Sequence, residues 1–266
     1  MIVGAQKAGT STLFNSLAQH PDLLGARTKE IRYFSRKENF QKGDQWYINN
    51  LKDLKKPFKS GLLFEATPEY LNHPEAAQRI YKFNKGTKII IVVREPIKRA
   101  YSAWNMYGDF LVSRKHLPRV IDPAYYPNSN LAQEFYGNGE FPSFEEIIAS
   151  EMKKIENNDN RSPAILRRGI YLPQIKRYLD LIGKEQVLTL GFKDLVTQNK
   201  TELNKILRFL NLPESDWQFL DSLGKKGKNA RTYKKKINPE AKIKLEEFYK
   251  PHNDALFEYL GYELNW

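Results

Sequence analysis

The chain of 266 residues contains no cysteine. That excludes a disulfide framework, a thiolate metal site and a cysteine nucleophile. It also fits a reducing compartment. No run approaches the ~18 consecutive apolar residues of a membrane-spanning helix. The apolar start is interrupted by Lys7 and a glycine-containing turn, which is not the pattern of a secretory leader. No stretch is rich enough in Pro, Gly or Ser to act as a linker, so residues 1–266 read as a single domain. Histidine is scarce. His20 and His73 precede prolines and read as turn or cap residues, and His252 follows Pro251. None has a zinc-ligand partner at suitable spacing, so no metal is expected.

What the chain has in excess is positive charge, 43 Lys and Arg against 31 Asp and Glu, or +12. Such an excess suits an anionic partner: a nucleotide, an acidic glycan, an acidic carrier protein, nucleic acid or a membrane surface. The plain alternative is a solvated basic surface.

The hydrophobic pattern alternates between strand and helix. Strands are expected at 1–5, 62–65, 88–94 and 186–192. Helices are expected at 10–18, 74–83, from Pro96 onward, from Ser143, at 171–181, 201–210 and 239–260, the last broken or kinked at Pro251. The β-branched run Ile89 to Val93 reads as a strand covered on both faces, as in a parallel sheet. The order predicts an α/β fold with a mainly parallel, P-loop-like central sheet and helices on both faces. Residues 108–141 lack periodicity and are rich in Tyr, Pro and Asn. They read as an irregular insertion of the kind that often serves as a lid or binding loop.

Two strand ends carry candidate anion sites. The first is G-A-Q-K-A-G-T-S-T, with Gly4 and Gly9 separated by four residues. A helix starting there would aim the N–H groups of Gly9 to Thr12 at an anion. The hydroxyls of Thr10, Ser11 and Thr12 add donors, and Lys7 adds a charge. The lysine precedes its place in an ATPase loop, and no strand ends in an obvious magnesium carboxylate. The alternative is an ordinary strand–turn–helix. The second site is I-I-I-V-V-R-E-P-I-K-R-A-Y-S. It delivers Arg94 at a strand end and Ser102 on the helix that follows. Two such sites suit a ligand with two separated phosphate-like groups.

At these residues the chain resembles the PAPS-dependent sulfotransferases, in the branch of heparan sulfate N- and 3-O-sulfotransferases and their bacterial relatives. Q-K-A-G-T-S-T looks like that family's 5′-phosphosulfate loop, and V-R-E-P-I-K-R-A-Y-S like its 3′-phosphate motif. K-E-I-R-Y-F at 29–34 resembles a K-E-x-H-F-F element. F-E-A-T-P-E-Y-L at 64–71 resembles the segment carrying the family's catalytic Glu, with Ala66 where the 3-O-sulfotransferases have lysine. G-I-Y-L-P-Q-I-K-R-Y-L from Gly169 resembles a family helix start, and K-G-K at 226–228 a basic nucleotide loop.

The resemblance implies transfer of a sulfuryl group from PAPS to an acceptor hydroxyl or amine by in-line displacement, with PAP as product and no metal. Glu65 would be the general base and Lys7 the group that stabilises the bridging oxygen. Lys7, Ala8, Gly9, Thr10, Ser11 and Thr12 would hold the 5′ side. Arg94 and Ser102 would hold the 3′-phosphate, and Lys226, Gly227 and Lys228 in the basic segment 224–236 would clamp the nucleotide. Lys29, Arg32 and His116 would face the acceptor, with His116 the second choice as base. A glycan acceptor is favoured, with a small metabolite or a hydroxyacyl chain on an acidic carrier protein left open. Nucleic acid is not expected as a partner. A P-loop kinase or NTPase, and a non-enzymatic anion-binding module, are the competing readings. The missing cysteine and leader point to a bacterial cytoplasm rather than a Golgi lumen. The chain also begins almost inside a strand, as an excised domain would.

Overall fold

The structure is a computed structural model. It describes residues 1–51, 61–113, 140–159, 164–217 and 236–266, apart from the side chains of 110–113. The chain divides into two compact units. One comprises Met1–Arg94, Pro173–Thr232 and Tyr262–Trp266; the other comprises Glu95–Leu172 and Tyr233–Gly261.

The first unit holds the sheet. β1 (Ile2–Gly4) pairs in parallel with β4 (Ile89–Val93), and β4 with β5 (Val187–Gly191). β2 (Leu23–Gly25) pairs in parallel with β3 (Leu62–Phe64). The chain leaving β3 joins the other side of β1. Ile2 N–H donates to the Glu65 carbonyl at 2.9 Å, Thr67 N–H to that of Ile2 at 3.1 Å, and Leu71 N–H to that of Val3 at 2.8 Å. The strands form two parallel sheets, β1-β4-β5 and β2-β3, linked by the parallel bridge between Ile2 and Ala66. All five residues of β4 are buried, as its unbroken β-branched run predicts.

Helices follow the strands. α1 (Thr10–Leu17) buries Leu13, Phe14 and Leu17. Its Phe14 ring lies 5.0 Å from that of Phe64 and fills the space a Cβ at Gly25 would need. Two helices in the β2–β3 connection, α2 (Lys37–Phe40) and α3 (Asp44–Leu51), have no counterpart in the sequence-based reading. α4 (Ala76–Phe83) starts two residues later than Pro74 suggests, because the His73 ring nitrogen Nδ1 accepts the Glu75 N–H at 3.3 Å and closes a turn first.

The second unit is helical: α5 (Pro96–Ser113), α6 (Phe144–Glu156) and α10 (Pro239–Leu260), numbered after α7 (Leu172–Ile182), α8 (Phe192–Thr197) and α9 (Asn199–Leu210) of the chain between. α5 runs past Gly108, where the irregular insertion was expected to begin. A glycine costs about 1 kcal/mol inside a helix. Here its bare backbone leaves room for the Phe141 ring, which a Cβ would meet at 3.3 Å. α6 begins with a capping box, Ser143 Oγ accepting from Glu146 N–H and the Glu146 carboxylate from Ser143 N–H. α10 continues through Pro251 without a break.

The centre of this unit is the turn at 165–167. Arg99 of α5, fully buried, donates to the Ile165 carbonyl. Glu151 of α6 accepts the Arg167 N–H at 3.0 Å. The Tyr249 hydroxyl of α10 donates to the Leu166 carbonyl at 2.8 Å. Three helices thus grip one turn. Burial pushes the Glu151 carboxyl above its ordinary range, against the pull of those N–H groups and of Arg99.

Candidate active site

The anion loop hangs from the end of β1. Its backbone turns through the left-handed region at Lys7 (φ +71°) and Gly9 (φ +80°), and α1 starts at Thr10. No side chain caps this helix, and the first intrahelical bond runs from Leu13 N–H to the Gly9 carbonyl. The N–H groups of the first turn therefore face outward for an external acceptor. Ala8 and Thr10 are buried, Lys7, Gly9 and Ser11 half-buried, and Thr12 exposed.

Arg94 reaches back to this loop. Its Nη1 donates to the Lys7 carbonyl at 3.2 Å, and its guanidinium lies 5.0 Å from the centre of the Phe192 ring. Phe192, the first residue of α8, also packs where a Gly9 Cβ would sit, 2.6 Å from that point. Sequence reading missed Phe192. Its signal was a position directly after β5, on the same sheet edge as the loop. Gly9→Ala should combine left-handed strain of ~1–2 kcal/mol with displacement of Phe192, and so disturb Arg94. We expect PAP to bind at least tenfold more weakly by calorimetry. Unchanged affinity would show that the loop tolerates a side chain there.

Glu65 follows β3 on the strand position beside β1, and is 1% exposed. Its Oε1 accepts from the hydroxyls of Tyr47 (2.9 Å) and Tyr70 (3.0 Å), and its Oε2 from Thr67 (2.7 Å). Burial raises its pKa, and the three hydroxyls oppose that rise. The same carboxylate helps push the Tyr47 and Tyr70 phenols well above their ordinary value, after burial itself.

The segment 29–34 runs alongside. Glu30 N–H donates to the Ala66 carbonyl at 3.1 Å, Arg32 N–H to Thr67 Oγ1 at 3.4 Å and Phe34 N–H to the Tyr70 hydroxyl at 3.4 Å. Glu30 and Arg32 both take positive φ, 60° and 57°. The Glu30 carboxylate receives Lys29 at 3.2 Å and Arg32 at 2.6 Å. Burial acts to raise its pKa, but the two cations prevail and hold it below the ordinary range. Lys29 and Arg32, read as acceptor-side residues, are thus half-buried and paired to Glu30.

The structure therefore places the anion loop at the carboxyl end of β1 and Arg94 at that of β4, while Glu65 directly follows β3, with its carbonyl paired to Ile2 at the start of β1. Ser102 is buried on α5 in the other unit. His116, Lys226, Gly227, Lys228, and nearly all of 108–141 and 224–236, lie outside the described residues. Among the described residues no group of His, Asp or Glu could hold a metal ion, and no helix is long and apolar enough to cross a membrane.

This arrangement has a family. Residues 1–250 match the model of the sulfotransferase domain. The chain belongs to the sulfotransferase family. That makes it a transferase enzyme of a family that uses PAPS. Mouse and human heparan sulfate glucosamine 3-O-sulfotransferase 5 are each 27% identical to it, over all of this chain and 73% of theirs. The bifunctional heparan sulfate N-deacetylase/N-sulfotransferase 1 of Caenorhabditis briggsae is 23% identical over 98% of this chain and 30% of its own length. A sulfotransferase from Alicyclobacillus acidocaldarius has the same fold, with a TM-score of 0.68, 24% identity and coverage of 99% of this chain and 95% of that one.

The cytoplasmic expectation is corrected by these relatives. Three of them are named for heparan sulfate, and a further relative, from Dictyostelium discoideum, is a membrane-associated sulfotransferase 20% identical over the whole chain and 66% of its own. Absence of cysteine says which bonds a protein cannot form. It does not say where the protein works.

Proposed function

We propose that the enzyme transfers a sulfuryl group to a hydroxyl of a carbohydrate acceptor, with Glu65 as the general base. The observation that carries this reading is a buried carboxylate, held by three hydroxyl donors, in the segment that pairs with β1, the strand leading into the anion loop. The carbohydrate follows from the heparan sulfate relatives, which match over all or nearly all of the chain.

The residues present fit the donor. The uncapped first turn of α1 offers N–H groups to a 5′-phosphate, and the Arg94 guanidinium, fixed by Phe192 and the Lys7 carbonyl, is a ready partner for a second anion. PAPS, when bound, supplies an activated sulfuryl group and departs as PAP. The chain does the rest. The first-turn amides hold the phosphate, and the Lys7 ammonium neutralises charge on the oxygen released from sulfur. Glu65 takes the proton of the acceptor hydroxyl as its oxygen bonds to sulfur.

The test is direct. With radiolabelled PAPS, we expect label in N-sulfated heparosan and little in simple phenols. PAP should raise the melting temperature, since a ligand at a hundredfold excess over Kd adds ~2.7 kcal/mol. Label entering phenols alone would reject the glycan. No thermal shift with millimolar PAP would reject the donor site.

A further inference from the structure

We propose that the Tyr47 hydroxyl, supplied by helix α3, is the element that keeps Glu65 ionised and pointed, and that Tyr47 is therefore a positioning residue for the base. This inference rests on the reading of Glu65 as base. It concerns a residue outside every motif from which that reading was built.

A hydroxyl has one proton and two lone pairs. Thr67 Oγ1 accepts the Arg32 N–H, and the Tyr70 hydroxyl accepts the Phe34 N–H. Each still has its proton, which goes to Glu65. The backbone of segment 29–34 thereby sets the direction of two of the three bonds. Tyr47 contributes the third without such a constraint, at 2.9 Å, from a side chain 1% exposed. Its ring is clamped instead: stacked on Tyr33 at 4.8 Å, and edge-on to Phe34 at 4.9 Å and to Phe83 at 5.1 Å. Tyr33 in turn donates to Asp44, the first residue of α3, at 2.7 Å. The hydroxyl is thus aimed by packing.

Such an arrangement matters because a dry carboxyl tends to keep its proton, and a protonated carboxyl cannot act as base. Other groups also face Glu65. Tyr178 of α7 acts on it electrostatically and donates to the Tyr70 carbonyl, and the Met1 amine at the start of β1 favours the ionised form. Lys29, Arg32 and Arg36 are committed to Glu30 and Glu69. These groups are common to the parent and to a Tyr47 variant, so a change between the two reports on the hydroxyl alone.

Tyr47→Phe keeps the ring and removes the donor. The Glu65 carboxyl should then titrate about one pH unit higher, read by carbon NMR on carboxyl-labelled glutamate in the unliganded protein, with Glu65→Gln identifying the signal. The acid limb of turnover on N-sulfated heparosan should move up by the same amount, so that at pH values below the limb the rate falls about tenfold. Above the limb the rate should match the parent. A purely structural role would lower the rate at every pH and leave the titration in place. If Glu65→Gln loses turnover while Tyr47→Phe keeps the parental titration and limb, the inference fails and Glu65 stands as base. If Glu65→Gln turns over normally, the base lies elsewhere and the positioning role falls with it.

Discussion

Turnover of Glu65→Gln should fall by ~10²–10⁴, the usual worth of a general base, while PAP affinity stays at the parental value. Both halves follow from the geometry. The carboxylate bonds to Tyr47, Thr67 and Tyr70, not to the groups of the anion loop. Glutamine preserves the shape, and its oxygen still accepts from Tyr47 and Tyr70. Its amide meets Thr67, whose oxygen can accept. What is lost is the ability to take a proton. Stability gives an independent reading. A carboxyl raised by burial contributes stability below the ordinary carboxylate range and loses it as pH rises through the folded value. Glutamine has no such dependence. The parent should therefore compare best with the variant at acid pH, and its advantage should shrink toward neutrality in thermal melts. Near-normal single turnover in the variant would move the base to another residue, with His116 the next to test.

Arg99→Ala should cost ~3–5 kcal/mol, the range found when one member of a buried charge pair is removed. Arg99 is fully buried, donates to the Ile165 carbonyl and is the cation near the buried Glu151. Without it Glu151 stays desolvated and the 165–167 turn loses one of its three holds. Hydrogen exchange in α5 and α6 should accelerate strongly. Replacing both residues by methionine should recover most of the loss, because no orphaned charge remains. Parental exchange rates in the single variant would show that the turn is held by Glu151 and Tyr249 alone.

Much of this was legible in the sequence, for reasons that differ by residue. β4 announced itself because five β-branched residues in a row suit only a strand covered on both sides. The strand–turn–helix at 2–17 was legible because Gly9 must turn where a side chain would strain, and because the helix after it has an apolar face at Leu13, Phe14 and Leu17. Glu65 was singled out by resemblance. Its partners were not. Tyr47 reaches it from α3, eighteen residues upstream, and no local period records that approach. Segment 29–34 was read as a set of acceptor-facing cations. In the structure its charges largely satisfy one another, while its backbone N–H groups orient the hydroxyls around Glu65. β2 was missed because Leu23–Gly25 carries no β-branched residue and ends in glycine. α5 was cut short on paper at Gly108, since the space for Phe141 exists only once the chain has folded.

The position of β1 carries a further consequence. An outer strand such as β2 or β5 can detach and leave a smaller sheet behind. β1 cannot, because the chain at 65–71 bonds to it on one side and β4 on the other. Separating it means splitting the sheet in two. The amides of Ile2 and Val3 should therefore exchange with solvent only through the highest-energy opening of their unit. The loop that follows them is anchored in the part of its unit expected to open last, so fraying at the sheet's margins should leave the loop in place.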